Sequence, residues 1–232
     1  MANFRPMEYA ARPVEAAVPQ GFLQRVFAWM FLGLVVTAAC AAAIGANDAL
    51  LTDITSNPIL LILLFGAQIG LVVWLSAGIQ RMSPGLAAGL FLGYAALNGI
   101  VFAFVFELYT AQSIFTTFAI TAGMFGAMAA WGYFTDLDLS RLGAVLFMAL
   151  IGLILATIVN VFVANSTLYW VTTYAGVAIF AGLTAYDMQK LKRWGAQDTG
   201  DGRLAVLGAL ALYLDFITLF LFLLRIFGQA RE

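Results

Sequence analysis

Two carboxylates stand in sequence that is otherwise rich in hydrocarbon: Asp187 in "FAGLTAYDMQKLK" (residues 180–192) and Asp215 in "ALYLDFITLFLFLL" (residues 211–224). An Asp at the centre of a membrane helix costs roughly 2.5 to 3.5 kcal/mol by insertion scales, so each needs a chemical use or a local partner. If the two face one another, desolvation and mutual repulsion disfavour the doubly ionised state, and the pair shares a proton and titrates as a unit. Once deprotonated it presents hard oxygen ligands suited to a transient Ca²⁺. That is the chemistry of a pH sensor in an ion pathway. The structural alternative is that each Asp caps a backbone group or pairs with an arginine to fix the fold.

Other polar groups could join them. Arg81, in "GIQRMSPG", is a candidate latch: reaching in from the membrane interface, it would pair with a deprotonated Asp and close the pathway, or else serve as a plain interfacial anchor. Asn98, Asn160 and Gln68 fall within apolar runs, where helix-to-helix hydrogen bonding is their first expected job and pathway lining their second, Asn98 and Asn160 being the pathway candidates. Histidine is absent and Cys40 is the single cysteine, which removes the common zinc ligand sets, Ser-His catalysis and any intramolecular disulfide. No bound cofactor is expected, and Ca²⁺ enters only as a transported ion.

The elements that must hold these groups are membrane helices. The chain has 232 residues, of which 63% are hydrophobic and 10% charged, far from the composition of a soluble domain. A formal net charge of -1 and the lack of a basic, aromatic-interleaved stripe exclude nucleic acid as a partner. A helix needs roughly 20 apolar residues to cross a hydrocarbon core. Seven runs qualify, near 25–45, 58–80, 85–106, 112–134, 142–163, 168–189 and 204–226, predicting an all-α seven-helix transmembrane bundle. Segments such as "GANDALLTDITSNP" and "KRWGAQDTGDGR" read as the breaks between them.

Residues 1–20, with three prolines and no apolar core, read as a flexible cytoplasmic tail, leaving residues 21–232 as one transmembrane domain. With the N-terminus inside, the inner segments hold most of the Lys and Arg and the three outer loops hold none. The positive-inside rule then places the C-terminus on the opposite side, with a re-entrant last segment as the alternative that Arg225 and Arg231 leave open. Gly85, Gly89 and Gly93, and Gly66 and Gly70, recur at four-residue spacing and are expected at close helix contacts.

The two aspartate-bearing motifs together resemble the signature of the Bax inhibitor-1 family, the transmembrane BAX-inhibitor-motif proteins. "YAALNGIVFAFVF" (residues 94–106) and "TAGMFGAMAAWGYFTDLDLSRLG" (residues 121–143) are similar to bacterial members, and the resemblance runs from about residue 20 to the end. It implies a seven-helix bundle with the last helix central. It also implies a di-aspartyl pH sensor at Asp187 and Asp215 controlling a Ca²⁺ leak, with an arginine latch that falls at Arg81. Bacterial relatives include a modulator of a membrane-bound AAA protease, so a membrane-protease partner is an alternative expectation, as is a proton-coupled cation transporter. A bacterial inner membrane is the expected location.

An enzyme is not expected. Intramembrane aspartyl proteases also carry "YD" on a sixth helix, but here the seventh reads "LGALALYLDF" without Gly-x-Gly-Asp, and no proline follows Pro84.

Overall fold

The computed structural model describes residues 20–196, 198, 200 and 202–231; the expected tail lies almost wholly outside the described residues. Among the described residues eight α-helices follow in order: α1 (Gln20–Gly45), α2 (Asp48–Ser56), α3 (Pro58–Gly78), α4 (Pro84–Leu108), α5 (Ala111–Phe134), α6 (Ser140–Val163), α7 (Ser166–Gly195) and α8 (Arg203–Phe227). Seven are long and apolar enough to cross a membrane. The fold class is therefore the expected one. The exception is α2, nine residues inside the segment read as a break, which Asn47 starts by accepting the Leu50 amide.

Sharp helix starts follow from local chemistry. Asn57, Ser83, Thr110 and Asn165 each accept a backbone amide of the first turn, and Pro58 and Pro84 occupy first-turn positions where no amide is needed. Such caps matter in a membrane, where an unsatisfied backbone group finds no water.

The last helix is the centre of the bundle. In its most apolar window 72% of residues are buried, against 11–39% in the other six spans. It packs against α7, α1, α5 and α4, while α3 leans on α4 and α6 leans on α7. Aromatic rings from α4 and α5 clasp it: Phe102 stacks on Phe220 with centroids 5.7 Å apart, and Phe118 and Phe125 meet Phe216 edge-on at 5.3 and 5.4 Å.

The helix runs unbroken to Phe227, and the chain beyond it pairs with the end of α4. The Thr110 amide donates to the Gln229 carbonyl at 3.0 Å and the Arg231 amide to the Leu108 carbonyl at 2.9 Å.

The glycine expectation needs correction. A Cβ built on Gly66, Gly70, Gly85, Gly89 or Gly93 meets nothing within 4 Å, so these glycines make no close helix contacts. Close approach occurs instead at Gly99, where α4 meets Cys40 and Thr37 of α1, and at Gly132, where α5 lies against the Ala185 backbone carbonyl of α7. Spacing along one helix does not tell which side of it meets a neighbour.

Candidate functional site

Three helices each present a stripe at three- to four-residue spacing to a common space. From α8 come Leu207, Ala211, Asp215, Thr218 and Phe222; from α7 come Phe180, Leu183, Asp187, Lys190 and Trp194; α6 supplies residues from Ser140 to Ile158. Together with Ser76 of α3 they line an open cavity of about 1170 Å³. Both aspartates line it, and the two carboxyls lie within electrostatic reach of one another.

Local structure sets their level. With 30 residues, α7 extends about 45 Å, longer than a hydrocarbon core of about 30 Å, and its last two turns carry Lys190, Lys192, Arg193 and Trp194. Gln189, two residues beyond Asp187, staples the α5–α6 connection to this end: its Nε2 donates to the Leu137 carbonyl at 2.8 Å and its Oε1 accepts the Leu139 amide at 2.9 Å. Arg193 donates to the Ser140 hydroxyl at 3.0 Å. The close contact of Gly132 with Ala185 seats α7 two residues before Asp187.

At the start of α8, Arg203 donates to the Gln80 carbonyl at 2.9 Å, which levels this helix with the turn between α3 and α4. Between the helices, Asp198 is held by Arg25 of α1 at 2.6 Å, with the aspartate side chain only 2% exposed.

The two acids differ in surroundings. Asp187 is half-buried, and its Oδ1 lies 3.8 Å from Lys190 Nζ one turn on. Lys190 in turn sits over the Trp194 ring at 4.8 Å. Asp215 is 5% exposed, and its Oδ2 is buried without a hydrogen-bond partner among the described residues. A buried polar atom left open in this way is uncommon in native structures and calls for an explanation.

The remaining candidates stand elsewhere. Arg81 is exposed in a single 3-10 turn, Ile79–Arg81, beyond α3 and does not line the cavity. The cation beside Asp187 is Lys190, which the sequence offers only as part of the basic run that ends the Asp187 motif. Asn160 works in a turn: Ala164 adopts a left-handed φ of 50°, and Asn160 Oδ1 accepts the Asn165 amide at 3.0 Å across it. Asn98 and Gln68 are buried, each with an unpartnered amide nitrogen, and neither lines the cavity of the two acids.

A second polar cluster escaped sequence reasoning. Tyr213, fully buried, shares a hydrogen bond of 2.6 Å with the Thr37 hydroxyl, which also donates to the Ala95 carbonyl at 2.9 Å. Phe91 and Tyr94 close over the Tyr213 ring edge-on at 5.7 and 5.9 Å. The only hint in sequence was a tyrosine two positions before Asp215.

Among the described residues, no group of three or more His, Cys, Asp or Glu could hold a metal ion. The cavity's oxygen donors are the two carboxylates and the hydroxyls of Ser76, Ser140, Thr157, Tyr186 and Thr218. Thr157 and Thr218 spend their protons on the Leu153 and Leu214 carbonyls, leaving oxygen lone pairs free. Such a set can meet a passing hard cation but lacks the charge of a resident Ca²⁺ site.

Comparison with known proteins places this arrangement. The family model described as "Inhibitor of apoptosis-promoting Bax1" matches residues 19–232. The inner membrane protein YbhL of Escherichia coli K12 is 49% identical over 217 residues, covering 91% of this chain and 93% of its own length. A protein of Borreliella burgdorferi is 41% identical over 222 residues (94% and 96%), and one of Deinococcus radiodurans 42% over 214 residues (91% and 91%). With both aspartate motifs inside the matched region, this integral membrane protein belongs to the Bax inhibitor family.

Proposed function

We propose that the protein is a pH-sensitive Ca²⁺ leak pathway in which Asp187 and Asp215 share a proton and meet the permeating ion. The observation that carries this reading is that both carboxyls line one cavity, with Asp215 Oδ2 left unpartnered. Two acids in a space of low polarity cannot both ionise freely, so proton occupancy and cation occupancy compete for the same oxygens.

In the present arrangement Lys190 neutralises Asp187 from one turn away. The latch role proposed for Arg81 then belongs to another arrangement, in which the turn after α3 moves its guanidinium toward the pair. The location proposed is a bacterial inner membrane, by analogy with the relative named as an inner membrane protein. The excess of Lys and Arg at the end carrying Trp194 argues that this end faces the cytoplasm, with the C-terminus opposite.

The test is Ca²⁺ flux into liposomes containing the purified protein, scanned from acidic to alkaline pH, for the wild type and the double variant Asp187→Asn, Asp215→Asn. The expected outcome is protein-dependent flux that varies with pH near neutrality and a profile that flattens in the variant. A profile left unchanged by both substitutions overturns the sensor. No flux above empty liposomes at any pH overturns the leak and shifts the weight to regulation of other membrane proteins, including a protease.

A further inference from the structure

The cavity is poorly matched to an inorganic ion over most of its extent. Its carboxyls occupy part of the wall, while Phe147, Phe180, Phe222 and the aliphatic side chains of α6 and α8 form the rest. It is also open sideways. Phe147, Ile154 and Ile158 line the space and are 60%, 49% and 51% exposed, and α6 is the least buried of the seven spans, so the wall they form stands at the edge of the bundle. Because α6 leans on α7 and α3 leans on α4, the two helices flanking this mouth belong to separate pairs, and α3 contributes only Ser76 to the lining. To the same lining belongs Asp215, whose buried Oδ2 has no partner among the described residues.

We infer that this cavity is a binding site for lipophilic organic monocations, amphipathic amines or quaternary ammonium and phosphonium ions, which enter from the bilayer between α3 and α6 and place their charge against Asp215. Four features of the wall match that class of ligand. The volume, about 1170 Å³, holds a molecule of drug size. The apolar lining buries its hydrocarbon. Aromatic side chains of the wall, Phe147 and Phe180, add attraction for its diffuse positive charge, the Phe222 ring being already covered by Arg225. A carboxylate in a water-poor space supplies the ionic partner that such a ligand lacks in the membrane interior. A lipophilic cation requires no dense oxygen shell, unlike Ca²⁺. Asp215 rather than Asp187 is the anchor, because Lys190 already stands beside Asp187. The inference rests on the shape and lining of the cavity and holds whether or not the protein conducts ions.

The test is equilibrium binding of radiolabelled tetraphenylphosphonium to the full chain in zwitterionic lipid nanodiscs, in Ca²⁺-free buffer. The expected result is a saturable component of one site per chain, displaced by dodecyltrimethylammonium and not by neutral triphenylphosphine oxide. Asp215→Asn should weaken affinity at least tenfold. Ile154→Trp, which fills part of the cavity from a half-exposed position on α6, should do the same and decides the matter if Asp215→Asn fails to fold. Binding no greater than to empty nanodiscs overturns the inference, as does wild-type affinity in either variant. A protein that conducts Ca²⁺ in liposomes but does not bind the phosphonium overturns this inference alone; one that binds without conducting overturns the leak alone.

Discussion

The central helix treats its two faces in opposite ways. Tyr213 and Asp215 are two residues apart, which on an α-helix turns them about 200° from one another. Toward α1 and α4, Tyr213 is fully buried, bonded to Thr37 and covered by Phe91 and Tyr94. Toward α6 and α7, Asp215 is nearly as buried but faces a cavity with an unpartnered oxygen. The first face turns a polar group into a lock, in which hydroxyl and ring are both satisfied. The second leaves a polar oxygen without a partner, as the proposed proton and cation binding requires. Burial alone therefore does not separate the two faces; the bonding of the buried polar atom and the cavity beside it do.

The largest effect is expected where the wall of the open face is set. Gly132→Val places a side chain against the Ala185 backbone, which no rotamer change can relieve, and should lower stability in a denaturant titration in detergent by about 3 kcal/mol. The same displacement of α7 should disturb the pH profile of flux. A stable Gly132→Val protein with a wild-type profile would show that the cavity does not depend on this crossing.

Next, Tyr213→Phe removes one of two hydrogen bonds at Thr37 and should cost about 1 kcal/mol while the pH dependence of flux survives. Its mirror on the other face is Asp215→Asn. That change should leave stability unaltered or raise it by up to about 1 kcal/mol, because a buried ionisable group is relieved, while abolishing the pH dependence. If both variants lost stability alike, the contrast between lock and site would fail.

Gly89→Ala is expected to be tolerated, with a gain of at most about 1 kcal/mol, since helix propensity improves and nothing lies within 4 Å. Destabilisation there would reveal a partner surface on the outside of α4.

The smallest effect concerns Asp138, exposed before α6, whose carboxyl is held below its ordinary value by hydrogen bonds from the Ser140 hydroxyl and amide. A group of lowered pKa stabilises the fold fully above the ordinary carboxylate range and loses that contribution as pH falls through the lowered value. The protection of the Ser140 amide, corrected for the pH dependence of intrinsic exchange, should fall on acidification in the wild type and be low at all pH values in Asp138→Ala.

Much of this protein was legible in sequence because a membrane imposes length and polarity directly on the chain. Seven apolar runs and the two intramembrane acids required no neighbours to be recognised. What the chain could not state is which side of each helix turns inward. These helices are apolar nearly all round, since lipid and protein interior are both hydrocarbon, so no amphipathic stripe marks the buried face.

That is why Gly85, Gly89 and Gly93 pointed to contacts that Gly99 and Gly132 in fact make, and why Lys190 rather than Arg81 is the cation beside Asp187. It is also why the Tyr213 lock went unseen. The sequence by itself determined a membrane bundle containing two carboxylates. Only tertiary packing decided that they line one cavity, because helix rotation and depth are fixed by side chains from other helices.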